Sequence, residues 1–95
     1  MLKLIAEDFI DPDKIDLVLP LYVELVEKTR QESGCIHYEL CQDRKDAGHF
    51  VFIEEWQDYA ALEAHVASEH FQRLVPQIDA YSIAEGRFTH LVKRY

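Results

Sequence analysis

The sequence predicts an α+β domain of four antiparallel strands and two helices, in the order β-α-β-β-α-β. Three observations carry that expectation. Four stretches alternate apolar and polar residues with period two, as a half-buried strand does. Two stretches, one after the first strand and one after the third, repeat apolar residues at helical spacing. A polar run with a late glycine, Asp43 to Gly48, joins the second and third strands as a hairpin. This is the split βαβ, ferredoxin-like arrangement, a four-stranded sheet with two helices on one face.

The first strand runs from Leu2 to Phe9, with Leu2, Leu4 and Ala6 on one side and Lys3, Ile5, Glu7 and Phe9 on the other. Asp11-Pro12 starts a helix: Asp caps it, and Pro occupies the first position, where its missing N–H is harmless. Ile15, Val18, Leu19, Tyr22, Val26 and Thr29 then share a face. Pro20 inside this run predicts a kink or a fresh start. Gly34 reads as the left-handed terminator of the helix. The second strand is Cys35 to Gln42, with Ile36, Tyr38 and Leu40 opposed to Cys35, His37, Glu39 and Cys41.

The third strand, Phe50 to Trp56, places Phe50, Phe52, Glu54 and Trp56 on one face. Asp58 caps the second helix, with Leu62, His65 and Val66 on its inner stripe. Ser68 is a candidate cap for a further segment, since Phe71, Leu74, Val75 and Ile78 continue the helical spacing; Pro76 bends or shortens it. The last strand is Ile83 to Arg94, with Gly86 marking a bulge or close approach.

No linker, repeat or low-complexity tract interrupts the order, so residues 1–95 read as one domain. Two helices cover one face of such a sheet. The other face carries Lys3, Ile5, Cys35, His37, Val51 and Ile53, too apolar to stay wet. A second copy packed sheet to sheet is the plain solution, so a homodimer is expected.

The formal charge of -8 argues against nucleic acid, which needs Lys and Arg to neutralise phosphates, and against an anionic membrane surface. No apolar run reaches transmembrane length. The start, MLKLIAEDF, meets acids at Glu7 and Asp8 rather than a signal-peptide pattern, so a cytoplasmic location is expected. Cys35 and Cys41 lie about 20 Å apart along one extended strand, beyond disulfide reach, and read as free thiols.

Glu54 is the anomaly, because a carboxylate between Phe52 and Trp56 is costly to bury without a partner. With His65 and His70 nearby in sequence it suggests a polar spot in an apolar pocket. Bland alternatives stand beside this: Glu54 pairing with a backbone amide or Arg87, and His65 as a satisfied core histidine. Of the five histidines none forms an i, i+4 pair, and His65 and His70 fall on different faces of an unbroken helix, so no metal site is expected. No glycine-rich phosphate loop is present.

The run Gly34-Cys35-Ile36-His37-Tyr38-Glu39-Leu40, the strand Phe50 to Trp56, and the spacing Leu62-x-x-His65-x-x-Ser68-x-His70-Phe71 resemble the antibiotic biosynthesis monooxygenase (ABM) family, whose members form dimeric α/β barrels. The resemblance implies a pocket between sheet and helices. It implies, in one branch, cofactor-free oxidation of anthrones or quinols by O2, and in others haem degradation or processing of a phosphorylated autoinducer-2 signal. The family's strand-three Glu, the aromatic two residues on, and its helix-two His match Glu54, Trp56 and His65; His70 matches a second His. The chain contains no Asn, which departs from the haem-degrading branch and from some anthrone oxygenases.

Cofactor-free oxygenation needs a base that deprotonates a phenol or enol, a dry aromatic cavity, and polar groups that hold the oxyanion. His65 is the expected base because its pKa class suits neutral pH. Glu54 is expected to orient it or to act itself. Trp56, Phe52 and Phe71 are expected to stack a flat substrate, and Tyr38 and His70 to donate hydrogen bonds. The leading reading is a cofactor-independent monooxygenase acting on a hydroxylated aromatic or quinol. An isomerase or lyase of the autoinducer-2-processing type, with an arginine among Arg44, Arg73 and Arg87 for phosphate, is the second. A non-catalytic ligand-binding dimer is the third.

Overall fold

A computed structural model describes all 95 residues. In chain order it contains β1 (Leu2–Ile10), a 3-10 turn (Pro12–Lys14), α1 (Ile15–Thr29), β2 (Cys35–Gln42), β3 (His49–Trp56), α2 (Tyr59–Val66), α3 (Glu69–Asp79) and β4 (Ser82–Leu91). The sheet order is β2-β3-β1-β4, and every neighbouring pair is antiparallel. The ferredoxin-like α+β fold is therefore the one the sequence predicts, with one difference. The second helical region is two helices, so three helices rather than two lie over the sheet.

That division has a local cause. Ala67 ends α2, and Ser68 adopts an extended backbone (ψ 155°) while its hydroxyl accepts from the Phe71 N–H. The same hydroxyl donates to the carbonyl of His65 at 2.6 Å. One serine thus satisfies the end of one helix and the start of the next. Asp58 caps α2 by accepting from the Ala61 N–H, and Asp11 accepts from Asp13 N–H ahead of the 3-10 turn.

Several local expectations are corrected. α1 is continuous through Pro20, so no fresh helix starts there, and α3 continues past Pro76 to Asp79. Both prolines are exposed, so the carbonyls they leave unpaired sit where water is available. α1 ends at Thr29 rather than at Gly34, and no residue has a positive φ. Gly34 is required for a different reason: a Cβ there would lie 2.3 Å from the Ala61 Cβ, so glycine lets β2 begin directly under α2.

β2 carries a register shift between Cys35 and His37. Ile36 is the extra residue, and Cys35 lands opposite Trp56, packed against the core instead of on the outer face. In β4, Glu7 pairs with Arg87 but Phe9 with Ala84, which places a bulge around Glu85 and Gly86. A Cβ on Gly86 would come within 2.9 Å of the Glu7 carbonyl oxygen. β4 ends at Leu91 rather than Arg94.

β1 and β3 pair Leu4 with Glu54 and Ala6 with Phe52, which turns Phe50, Phe52, Glu54 and Trp56 towards the helices; all four are buried. Trp56, Tyr22, Ile10, Leu74, Ile78 and Val18 are the largest sealed apolar side chains, and they bind α1 and α3 to the sheet. The molecule measures 36 × 32 × 19 Å, and its short dimension is one sheet plus one helix layer. On the uncovered face Ile53 and Leu91 keep 39% and 42% exposure, beside a Lys3–Glu55 ion pair of 3.2 Å.

Candidate active site

Between the sheet and the helices lies a cavity of about 580 Å3. Its walls are mostly apolar, and Tyr38, Phe52, Phe71 and Phe88 give it aromatic surfaces. β3 contributes Glu54, and α2 contributes His65.

His65 is the centre of the polar part. Its ring is 2% exposed and enclosed by Trp56, Phe71 and Tyr38, with centroids 4.6, 5.0 and 5.4 Å away. Its Nδ1 lies 2.8 Å from the Oε2 of Glu32, in the turn between α1 and β2. Facing a carboxylate, Nδ1 carries the proton and donates; the neutral ring then presents Nε2 as a lone pair. Nε2 has no partner in the chain. It is not among the fully sealed polar atoms, and His65 is one of the residues that line the cavity. Burial lowers the His65 pKa, more than the Glu32 carboxylate raises it, so the ring is neutral at neutral pH.

Glu54 is tuned in the opposite direction. Its Oε1 accepts from the Trp56 indole N–H at 2.9 Å, and its Oε2 has no partner in the chain. Burial pushes its carboxyl up to about 7 against the pull of that hydrogen bond, and the negative charges of Asp8 and Glu32 add to the rise. A buried imidazole held neutral and a buried carboxyl held near its midpoint form an acid–base pair in one cavity.

Of the side chains singled out in the sequence, Glu54, His65, Tyr38, Phe52 and Phe71 meet on the cavity wall. Trp56 and His70 do not reach it. Trp56 is fully buried behind the wall, where it holds Glu54 and packs on His65. His70 donates from Nε2 to the same Glu32 oxygen, also at 2.8 Å. Glu54 does not orient His65; Glu32 does. Tyr22 also stands behind the wall, its hydroxyl donating to Asp8 at 2.7 Å.

Sequence reasoning missed Glu32, because it lies 33 and 38 residues from the imidazoles in a run that reads as a polar helix end. It also missed Asp8, Asp79, Phe88 and His90, which line the cavity. Phe88 and His90 had a legible signal, since they pair with Ala6 and Leu4 on the helix-facing side of β1. The cavity has acids at Asp8, Glu54, Asp79 and Glu85, and neither Lys nor Arg.

Comparison with known proteins agrees with this architecture. The sequence profile of the family described as antibiotic biosynthesis monooxygenase (ABM) matches residues 1–77. A crystal structure described as an antibiotic biosynthesis monooxygenase is 59% identical, covers 100% of both chains, and superposes with a TM-score of 0.98. The YcnE protein of Bacillus subtilis is 33% identical over 75 residues, 79% of each chain. An uncharacterized protein of Synechocystis sp. is 31% identical over 86 residues, and the match spans 80% of this chain but 58% of that relative's length.

The tuning of Glu54 has a measurable consequence. The carboxyl ionises near 4.5 in the unfolded chain and near 7 in the folded one. Its contribution to stability is fully present below pH 4.5 and is lost as pH rises through 7. Asp8 and Asp79, also raised by burial, act in the same direction, and His65, lowered by burial, acts in the other. Comparison with Glu54→Gln, which keeps the acceptor for Trp56 and cannot ionise, isolates the Glu54 part. From about pH 4.5 to pH 8, wild type should lose up to about 3 kcal/mol relative to the variant in urea denaturation. A difference that does not change with pH would contradict the buried, protonated carboxyl.

Proposed function

Because the chain belongs to the antibiotic biosynthesis monooxygenase family, we propose that it is a cofactor-independent monooxygenase that oxidises a hydroxylated aromatic of the quinol type with O2. The observation that carries this reading is the open Nε2 of His65 on an aromatic cavity, its tautomer held from behind by Glu32.

The hydroxyl of a flat substrate between Tyr38, Phe52 and Phe71 gives its proton to Nε2 of His65. The resulting anion is electron-rich enough to pass an electron to O2, and recombination of the two radicals forms a carbon–oxygen bond. The peroxide takes the proton back from His65, and the hydroperoxide then loses water as its O–O bond breaks and the hydrogen on the oxygenated carbon leaves as a proton to His65. One oxygen atom stays in the product as a quinone-type carbonyl, and the other leaves as water, reduced by electrons from the substrate itself. The Glu54 carboxyl, raised to about 7, supplies the proton to the departing hydroxide and is restored by the one then held on His65.

The second reading, a phosphorylated metabolite, is disfavoured by charge. Arg73 is occupied by Glu24 and Glu69, Arg87 by Glu7, and Arg44 is an exposed residue of the β2–β3 hairpin. A phosphate in the cavity would face carboxylates without a guanidinium. A non-catalytic binder with a collapsed interior is disfavoured by the open volume beside Glu54.

The proposed working unit is a homodimer in which the outer face of the sheet, with Ile5, Val51, Ile53 and Leu91, packs on its copy. The free thiols Cys35 and Cys41 suit a reducing compartment such as the cytoplasm.

Oxygen uptake by the metal-stripped protein across a panel of hydroquinones and anthrones tests the reaction. The expected result is protein-dependent uptake that His65→Ala lowers by about 10²–10⁴-fold. Uptake unchanged in the variant would remove His65 as the base, and no uptake across the panel would remove the reaction. For the assembly, light scattering should give twice the chain mass for wild type and the single-chain mass for Ile53→Glu. A monomeric wild type would contradict the sheet-to-sheet pairing.

A further inference from the structure

We propose that Glu32, His65 and His70 form a binding site for a divalent first-row transition metal, and that occupation of this site switches off His65 as a base. The second half rests on the reading of His65 given above; the first half does not.

On one continuous helix His65 and His70 would fall on different faces. The break at Ala67-Ser68 instead places His65 on α2 and His70 in the first turn of α3. Both rings then turn to the same atom. His65 Nδ1 and His70 Nε2 each lie 2.8 Å from Glu32 Oε2, and the three atoms fall within 4.8 Å of one another. Two imidazoles and a carboxylate from three separate segments are the donor set that Zn2+ and its first-row neighbours prefer. Tetrahedral coordination with bonds of about 2.1 Å needs ligand atoms about 3.4 Å apart. Binding therefore asks the two 2.8 Å edges to open by about half an ångström and the edge between the two imidazoles, at most 4.8 Å, to settle near the same value. Glu32 and His70 keep 16% and 14% of their side-chain surface exposed, which leaves a path for the ion and room for a water ligand.

His49 provides the contrast. Its two nitrogens go to different carboxylates, Asp43 at 3.0 Å and Glu7 at 2.9 Å, so its acids lie on opposite sides of the ring and do not converge.

The consequence for chemistry follows from the proton count of imidazole. A metal at Nδ1 displaces the proton there, and the neutral ring carries its single proton on Nε2. The nitrogen that faces the cavity changes from acceptor to donor. The ion binds behind the cavity wall and needs no contact with substrate to silence the base.

Calorimetric titration of the metal-stripped protein with Zn2+ tests the site whether or not any substrate is turned over. One ion per chain is expected to bind. His70→Gln, whose amide can still donate to Glu32, should weaken binding by about 100-fold or more, while His49→Gln leaves it unchanged. Absence of stoichiometric binding, or equal binding by the His70→Gln variant, overturns the site. In the oxygen-uptake assay Zn2+ should abolish turnover by wild type at the concentration that saturates the calorimetric site. Full occupancy with undiminished turnover overturns the switch.

Discussion

The hydrogen bond between His65 and Glu32 is the interaction on which the functional reading depends. It ties the turn after α1 to α2 and chooses which ring nitrogen carries the proton. A hydrogen bond to an ionised group contributes roughly 1.5–3 kcal/mol, enough to hold one tautomer over the other in a ring that burial keeps neutral. The aromatic rings of Trp56, Tyr38 and Phe71 fix the plane of the imidazole, so the carboxylate sets direction and the cage sets orientation. Without the carboxylate the ring would still be buried, but its two nitrogens would be free to exchange roles.

The other half of the site comes from a single strand. Glu54 and Trp56 are two residues apart on β3, so period two delivers the carboxyl and its indole donor to the same face without any help from the rest of the chain. Burial then acts with opposite effect on Glu54 and His65, raising the acid and lowering the base. The cavity they line removes packing from an already small domain. The outer face of the sheet, left bare by a single helix layer, is where a second copy restores buried area in the proposed dimer.

The parts of this arrangement that depend on local periodicity were readable in the sequence. The alternation Phe50, Phe52, Glu54, Trp56 and the stripe Leu62, His65 predict the residues that face the sheet–helix interface, and the structure brings Phe52, Glu54, Leu62 and His65 to the cavity. The caps Asp11, Asp58 and Ser68 were readable because each satisfies a nearby N–H through a short polar side chain. What depends on contacts between distant segments was not. Glu32 reaches His65 across 33 residues, and nothing in the Gln31-Glu32-Ser33 run distinguishes it from a hydrated helix end. Gly34 reads as a helix terminator because glycine is common there, whereas its actual reason is the 2.3 Å approach of the Ala61 Cβ to any Cβ at this position, a tertiary contact. Cys35 changed faces because one extra residue at Ile36 shifts the register, and a single-residue bulge leaves no mark on the alternation of so short a strand.

Nitrogen-15 NMR of the ring nitrogens of His65 in the metal-free protein at neutral pH tests the central claim most directly. The account predicts a protonated Nδ1 and an unprotonated Nε2, with Glu32→Gln weakening that preference. A proton on Nε2, or a fully protonated imidazolium, would contradict the assignment of His65 as the base.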